Sequence, residues 1–544
     1  MSPQKSAFQV VIVGGGPVGV ALAVDLGLRG ITCALVERRT ELQNVPKGQN
    51  LTPRTLEHFY FWGIADQLRA ARIMPKGYPI STITTYGSLL SDYWYAAPQR
   101  ELVRPYYFED VERLPQYLTE RVLRARMAEL PSVTNFFGWT AETIAQNEQG
   151  VSVTIRSSDG LEQRTLSGSY LAGCDGSRSL VREQAGIAQG GVDFEQSMVL
   201  AVFRSRELHA ALERFPPRGT YLVMHPEYEG FWQFFGRIDV GESFFFHAPV
   251  PLETTKENFD FLALLQRAAG FPFQAEFDYV GFWDNRVAIA SSYRAGRILI
   301  AGDAAHSHPP YGGYGLNSGL EDATNLGWKL AAAIQGWGGD VLLDSYSDER
   351  QPVFVETGEE IIAARIRADA QWLARYSPER DKAEFERAWA ARVDDESENQ
   401  STYEPNYEGS AVVDGPPGGK NRARGTHTWR ARPGHHLPPK PLSSGRSVFE
   451  ALGTGFTLLA FDVSDTDIDA FILAASDARV PLAIVRDSFD GGREAYGHRL
   501  VLVRPDQYVA WVGQTAPLDV DALLQMVTGA SDVASRSTLA PGTC

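Results

Sequence analysis

A short apolar run over Gln9–Val13 is followed by a glycine cluster, a helix-period pattern over Val18–Leu28 and a second apolar run over Cys33–Val36. Apolar runs this short, bounded by glycine, have strand length, and the 3.6-residue repeat between them is helical, so the chain is expected to open with a βαβ unit. A further strand pattern over Arg297–Ala301 leads through a Gly/Pro-rich loop into an amphipathic helix predicted over Ser318–Ile334. Between these two segments, Gly230–Asp239 and Ser243–Val250 alternate aromatic with other residues, the period of antiparallel strands. Beyond about residue 375 the pattern turns polar, and Asp394–Arg432 reads as an extended linker. Strand-like runs at Phe456–Phe461, Pro481–Val485 and Leu500–Val512, interleaved with helical stretches, predict a small α/β domain, and Ala530–Cys544 reads as a loose tail. No internal repeat is visible.

The length of 544 residues calls for several domains, and 44% hydrophobic against 22% charged residues is the balance of a globular protein. A net charge of -16, from 67 acidic and 51 basic residues, repels phosphate backbones and anionic lipid surfaces, so neither nucleic acid nor membrane is the expected partner. The apolar run near the start is too short to span a bilayer and lacks a basic leader and cleavage site. Cys33, Cys174 and Cys544 form no C-x-x-C pair, and no His/Cys cluster has metal-ligand spacing, so a disulfide framework and a zinc site are not expected and a cytoplasmic location is.

Candidate chemistry begins at Gly14-Gly15-Gly16-Pro17-Val18-Gly19, a G-x-G-x-x-G placed after a strand and before a helix. Such glycines let the backbone approach a pyrophosphate, and the helix N-terminus offers unpaired N–H groups with partial positive charge. Glu37, at the end of the next strand, is placed to accept hydrogen bonds from a ribose, with Arg38 beside it. The fingerprint alone does not separate FAD from NAD.

Two further segments, Leu171–Arg182 containing Asp175-Gly176, and Gly302-Asp303-Ala304-Ala305-His306, follow in order. Together these residues resemble the group A flavoprotein monooxygenases, the family of para-hydroxybenzoate hydroxylase and phenol hydroxylase, over almost the whole chain. The resemblance implies an α/β fold: a Rossmann-type FAD-binding domain (1–75, 105–190 and 285–375) with an inserted mixed or antiparallel-sheet substrate domain (76–104 and 191–284). A helix and linker (376–432) and a thioredoxin-like C-terminal α/β domain (433–544) would follow; Gly445-Arg446-Ser447-Val448 and Arg504–Trp511 carry that last likeness, and without C-x-x-C it would be redox-inert.

By the same resemblance Asp303 binds the FAD ribityl chain, Asp175 and Gly176 serve FAD and NAD(P)H, and Gln116, in Arg113–Glu120, contacts the flavin. Pro310, Tyr311 and the loop to Gly315 would lie against the flavin ring. Backbone N–H groups of Leu316 and Asn317 would stabilise negative charge on the reduced ring, a helix-terminus effect of ~0.3–2 kcal/mol. The family has glutamine where Tyr314 stands and methionine where Leu316 stands. Lys47 occupies a region where relatives present arginine to flavin or nicotinamide.

The implied function is hydroxylation of a phenol-like small aromatic substrate with NAD(P)H and O2 through a flavin hydroperoxide. Where relatives carry an acidic or histidine residue near the substrate hydroxyl stands Gln49, which can hold a hydroxyl but cannot take its proton. His247 is a candidate proton acceptor. Candidate substrate-wall residues are Tyr86, Tyr93, Trp94, Tyr95, Trp232, Phe234, Phe245 and Tyr311. Two alternatives stay open: Baeyer–Villiger or other oxygenation of a polyketide, and a non-catalytic FAD- or ligand-binding protein. A halogenase ranks low because W-x-W-x-I-P is absent. A homodimer is one assembly compatible with the reading.

Overall fold

The computed structural model describes residues 6–97 and 102–530, without the side chains of residues 6–7, 311 and 393–400. The opening βαβ unit is present: Ser6–Val13, the Pro17–Leu28 helix and Cys33–Glu37. These strands sit centrally in an eight-stranded sheet, in which Ile298–Ile300, Gln163–Gly173, Ser6–Val13, Cys33–Glu37 and Val133–Phe137 run parallel. Val10, Val11 and Ile12 are fully buried, as expected for a parallel strand covered on both faces. One cover is the helix pair Pro17–Leu28 and Gly315–Gln335, both rich in small and apolar residues at the contact.

A second eight-stranded sheet, mostly antiparallel, takes His306–Ser307, Glu276–Ala290, Gln189–Arg204, Ser243–Val250, Trp232–Arg237, Thr220–Met224, Thr82–Tyr86 and Trp94–Ala96 in that order. Alternation along its strands decides what each face does. Phe244, Phe246 and Phe235 point into a core roofed by the Phe261–Ala269 helix, whereas Phe245, His247 and Phe234 point the other way, into a cleft against the first sheet.

The C-terminal sheet orders Leu482–Asp487, Phe456–Phe461, Leu500–Val503 and Val509–Gly513, the first pair parallel and the others antiparallel, with helices Asp465–Asp477 and Val520–Val527. This is a thioredoxin-like arrangement. The expected single run Leu500–Val512 is two strands, because Arg504–Tyr508 turns the chain, with Gln507 at φ 63°. The domain is fixed to the first by a shared core that includes Trp328, Phe456 and Leu524 and by buried ion pairs: Arg504 donates to Glu349 at 2.7 and 2.9 Å.

Asp394–Arg432, expected as an extended linker, is largely ordered. The Lys382–Ser401 helix runs into it, Tyr403–Tyr407 pairs with Asn421–Arg424, and fully buried Tyr407 packs on Tyr508 at 4.4 Å. Tyr403 and Tyr407 and the Arg432–Glu404 ion pair at 2.9 Å anchor this polar stretch, whose composition reads as loop. Of the expected tail, the residues after Ala530 lie outside the described residues. Among the described residues no helix is long and apolar enough to cross a membrane, and no group of His, Cys, Asp or Glu could hold a metal ion.

Candidate active site

One cleft of about 1010 Å³ runs from the glycine turn at the carboxyl ends of the parallel strands to the inner face of the second sheet. Ligands of open α/β sheets bind at this edge. Gly14, at φ 108°, could not be replaced: an added Cβ would lie 2.2 Å from the Cys174 carbonyl oxygen, so the turn is pressed against the neighbouring strand. Above Gly16 and Gly176 there is open space within the cleft. The Pro17–Leu28 helix starts at Gly16 with no side-chain cap, so its first N–H groups face that space unsatisfied. Pro17 and Val18 also line it, while Gly19 lies behind, against the Gly14 carbonyl.

Glu37 takes one backbone N–H on each oxygen, from Gly15 at 2.8 Å and Arg39 at 2.9 Å, and borders the cleft beside Arg38. The remaining lone pairs are free for a ribose. Arg124, not singled out in the sequence, donates to the Gly15 carbonyl at 3.1 Å and steadies the turn from outside.

Asp175 and Gly176 line the cleft, but the Asp175 carboxylate is taken up in capping: it accepts from Ser179 Oγ and from Val181 N at 3.1 Å. Asp303 is exposed to the cleft; the protein around it pushes its pKa up, opposed by His306 and Lys47. Its turn is held by Asp322, which accepts from Gly302 N at 3.0 Å, His306 Nε2 at 2.6 Å and Arg350 Nε at 2.8 Å. Burial pushes the Asp322 carboxyl up, but His306 and Arg350 outweigh it and hold it below the usual range.

Pro310, Gly312, Gly313, Gly315 and Leu316 form the loop wall of the cleft. Asn317 does not line it. Its side chain donates to the carbonyls of Asn50 and Gly313 at 3.0 and 2.8 Å and accepts from Thr52 N and Thr55 Oγ1 at 3.0 and 2.6 Å, so it ties the loop to residues 50–55. Tyr314 stands where the family has glutamine and turns out of the cleft, its ring 4.5 Å from that of Tyr403. Opposite the loop, Gln116 donates to Glu120 at 2.8 Å, and Gly48 approaches both Gln116 and Leu316 closely. Lys47 lies exposed at the same wall.

The cradle fits FAD. Uncapped helix starts face each end, glycines leave space where a phosphate chain would run, and buried Gln49, on the cleft wall, has no partner for either amide atom.

Residues 7–359 match the FAD binding domain family and residues 430–531 the aromatic-ring hydroxylase C-terminal family. The chain belongs to the FAD-dependent aromatic-ring hydroxylases. The hydroxylase is 30% identical to 4-methyl-5-nitrocatechol 5-monooxygenase of a Burkholderia species, over 96% of this chain and 97% of that one. It is 28% identical to tetracenomycin A2 monooxygenase-dioxygenase of Streptomyces glaucescens, over 98% of each. The flavin-dependent monooxygenase PieE, solved with FAD and substrate, superposes with a TM-score of 0.86 at 26% identity, over 97% of this chain and 100% of that one.

In the hydroxylase's second compartment Phe234, Phe245 and His247 line the cleft. His247 is buried, its Nδ1 accepts from the Trp283 indole at 3.3 Å, and burial pushes its pKa down to about 3. Proton acceptance at neutral pH, expected of it from the sequence, does not fit this environment. It is a neutral ring whose Nε2 carries the proton, a donor.

The other aromatic candidates lie elsewhere. Tyr86, Tyr93 and Tyr95 pack against Phe385 and Trp389 of the Lys382–Ser401 helix, at 4.7, 4.9 and 5.3 Å. Trp94 packs on Phe215, and Trp232, stacked behind Phe234, faces Ile362 and Ile366. The side chain of Tyr311 lies outside the described residues. What the cleft uses instead is Thr82, Thr84, Arg113, Leu200, Leu222 and Trp283. For the threonines, strand alternation was the available signal: Thr82 and Thr84 share a face of the Thr82–Tyr86 strand.

Proposed function

We propose that the hydroxylase oxygenates phenolic or related oxygen-bearing aromatic compounds, polycyclic polyketides included, with NAD(P)H as reductant. The observation that carries this reading is the continuity of the cleft: the glycine-turn cradle opens directly onto a flat apolar wall of Leu200, Leu222, Phe234 and Phe245. A planar ring against that wall would face the loop at Pro310–Leu316. Tyr279 and Phe282, 36% and 38% exposed where the cleft opens, extend the apolar surface outward and favour a substrate larger than one ring.

Bound in the cradle, FAD supplies hydride acceptance and oxygen activation, which no side chain supplies. The chain's own contributions are positional. Gln49 offers an amide to a substrate or flavin oxygen, Leu316 offers a backbone N–H at a helix start that the Asn317 side chain holds in place, and the apolar wall excludes water. His247 contributes a hydrogen-bond donor. The Asp175 and Gly176 segment, with Arg178, borders the nicotinamide approach in this reading. The sparse cysteines, with Cys33 and Cys174 as free thiols, support a cytoplasmic setting.

The test is anaerobic stopped-flow reduction of the FAD-loaded protein by NADH and by NADPH, with and without phenols, catechols and polycyclic hydroxyquinones, followed by product analysis in air. Ligand-accelerated reduction and a product one oxygen heavier are expected. A ring-expanded ester would assign Baeyer–Villiger oxygenation, and absence of reduction with every ligand would refute the reading.

A further inference from the structure

Arg113 stands out in the second compartment. It is 3% exposed, lies on the cleft wall, and no carboxylate among the described residues is within ion-pair distance of it. Its guanidinium donates to neutral oxygens only: Asn50 Oδ1 at 2.6 Å and the carbonyls of Gly219 and Arg237 at 3.0 and 2.8 Å. Gly219 permits that seat, since a Cβ there would lie 2.9 Å from the guanidinium carbon. Nε has no partner. Three dipoles orient the group but leave its charge unneutralised, and a buried, uncompensated cation is costly unless something else completes it.

The other charged and titratable groups facing it do not supply a counter-ion. Tyr78 and Tyr221 bring phenols, not carboxylates. The Arg237 guanidinium is turned to Tyr221 and His209, and Glu112, next in the chain, is paired with Arg72 at 2.6 Å. Burial lowers the Arg113 pKa to about 10, which leaves it a cation at neutral pH.

Around it the same wall holds further orphaned polar atoms. Ser81 Oγ, Thr84 Oγ1 and both amide atoms of Gln49 are buried and unpartnered, in residues 9%, 0% and 6% exposed. Native proteins leave few such atoms, and several on one cavity wall mark where a polar ligand edge belongs. No group here is a base: His247 is held as a donor and Gln49 cannot accept a proton.

We propose that Arg113 is the residue that receives the acidic oxygen of the substrate as an oxyanion, so that this compartment selects ionisable phenols and enols and needs no general base. The substrate O–H bond breaks with its electron pair left on oxygen, and the proton passes to water at the cleft mouth. The negative charge then completes the buried guanidinium, and the ring gains the electron density that oxygenation requires. This assignment rests on the aromatic-substrate reading.

The probe is alizarin, a dihydroxyanthraquinone whose anion absorbs at longer wavelength than flavin, with anthraquinone as its non-ionisable counterpart. Both are titrated into FAD-loaded wild type, Arg113→Lys and Arg113→Met across pH, and the pKa of bound alizarin is read from its difference spectrum. In wild type it should fall by about 1–3 units, the scale of an opposite charge at contact. Arg113→Lys should keep most of the shift. Arg113→Met should lose it while binding anthraquinone as wild type does. The wild-type titration decides the matter even if Arg113→Met does not fold. Alizarin bound with its pKa unchanged or raised overturns the assignment alone, as does anthraquinone binding without alizarin. Failure of both to bind overturns the aromatic-substrate reading and the assignment with it.

Discussion

Asp322 is the residue whose removal should reach furthest. Its carboxylate holds three groups at once: the Gly302 N–H that forms the turn presenting Asp303, the His306 ring and the buried Arg350 guanidinium. In Asp322→Ala, Arg350 keeps as hydrogen-bond acceptors Tyr407 Oη at 3.1 Å and the Ser318 carbonyl at 3.1 Å, both neutral, with Glu321 acting on it through space. Breaking a buried pair on one side costs about 3–5 kcal/mol. The unsatisfied Gly302 N–H adds about 1–3 kcal/mol. Against a total stability of about 5–15 kcal/mol, this leaves a marginal protein.

Urea unfolding of the FAD-free protein measures the first effect, and flavin fluorescence titration the second. FAD affinity should fall by about tenfold or more, equivalent to about 1.4 kcal/mol, because the turn carrying Asp303 loses its tether. Asp322→Asn, which keeps the shape but not the charge, should lie between. Adding Arg350→Met to Asp322→Ala should restore part of the stability by removing the stranded cation, a coupling the double-mutant cycle reads directly. If Asp322→Ala unfolds within about 0.5 kcal/mol of wild type, the range of an ordinary surface change, and binds FAD equally well, the network does not hold the turn and the reasoning fails.

Other consequences are open to measurement. Gly14→Ala forces a Cβ to 2.2 Å from the Cys174 carbonyl, and overpacking strain of about 1–3 kcal/mol should yield protein that purifies without yellow colour; a fully flavinylated variant would contradict the cradle. Burial pushes the Glu349 carboxyl up, but Arg504 and Lys329 outweigh it and hold it well below its ordinary 4.5, so its stabilisation is full above that pH and drains away on acidification. Glu349→Gln should therefore flatten the acid limb of a pH–stability curve, and an unchanged limb would assign acid lability elsewhere. With the His247 pKa at about 3, the pH profile of kcat should show no inflection from this ring between pH 5 and 8. His247→Gln, keeping a donor, should retain activity to within the worth of one hydrogen bond, about 0.5–1.5 kcal/mol; a lost inflection in that variant would restore the ring as a base.

Local order was readable wherever the pattern is short-range. The strand, glycine turn, helix and strand of residues 6–37 are neighbours in the chain, and each is dictated by spacing and by glycine in a turn that a Cβ would block. The same holds for Gly302-Asp303 and the loop before the Gly315–Gln335 helix, where motif order carried family, cofactor and fold class together.

Facing was harder to read. Tyr86, Tyr93 and Tyr95 look like a ligand wall in sequence, yet the Lys382–Ser401 helix, three hundred residues on, covers them, while Thr82 and Thr84, on the same strand face as Tyr86, line the cleft beyond that helix. His247 looks like a base until its burial and the Trp283 indole fix it as a neutral donor. Asp322 carries no motif and Arg113 only opens the Arg113–Glu120 stretch, where Gln116 is the residue singled out, since their importance comes from partners far away in the chain and, for Arg113, from a partner it lacks. Spacing along the chain determines which groups the backbone can present, and so fixes the dinucleotide cradle and the chemistry it serves. Which side chains share one cavity, and what charge each bears there, depends on desolvation and contacts between distant segments, and only the tertiary structure decides these.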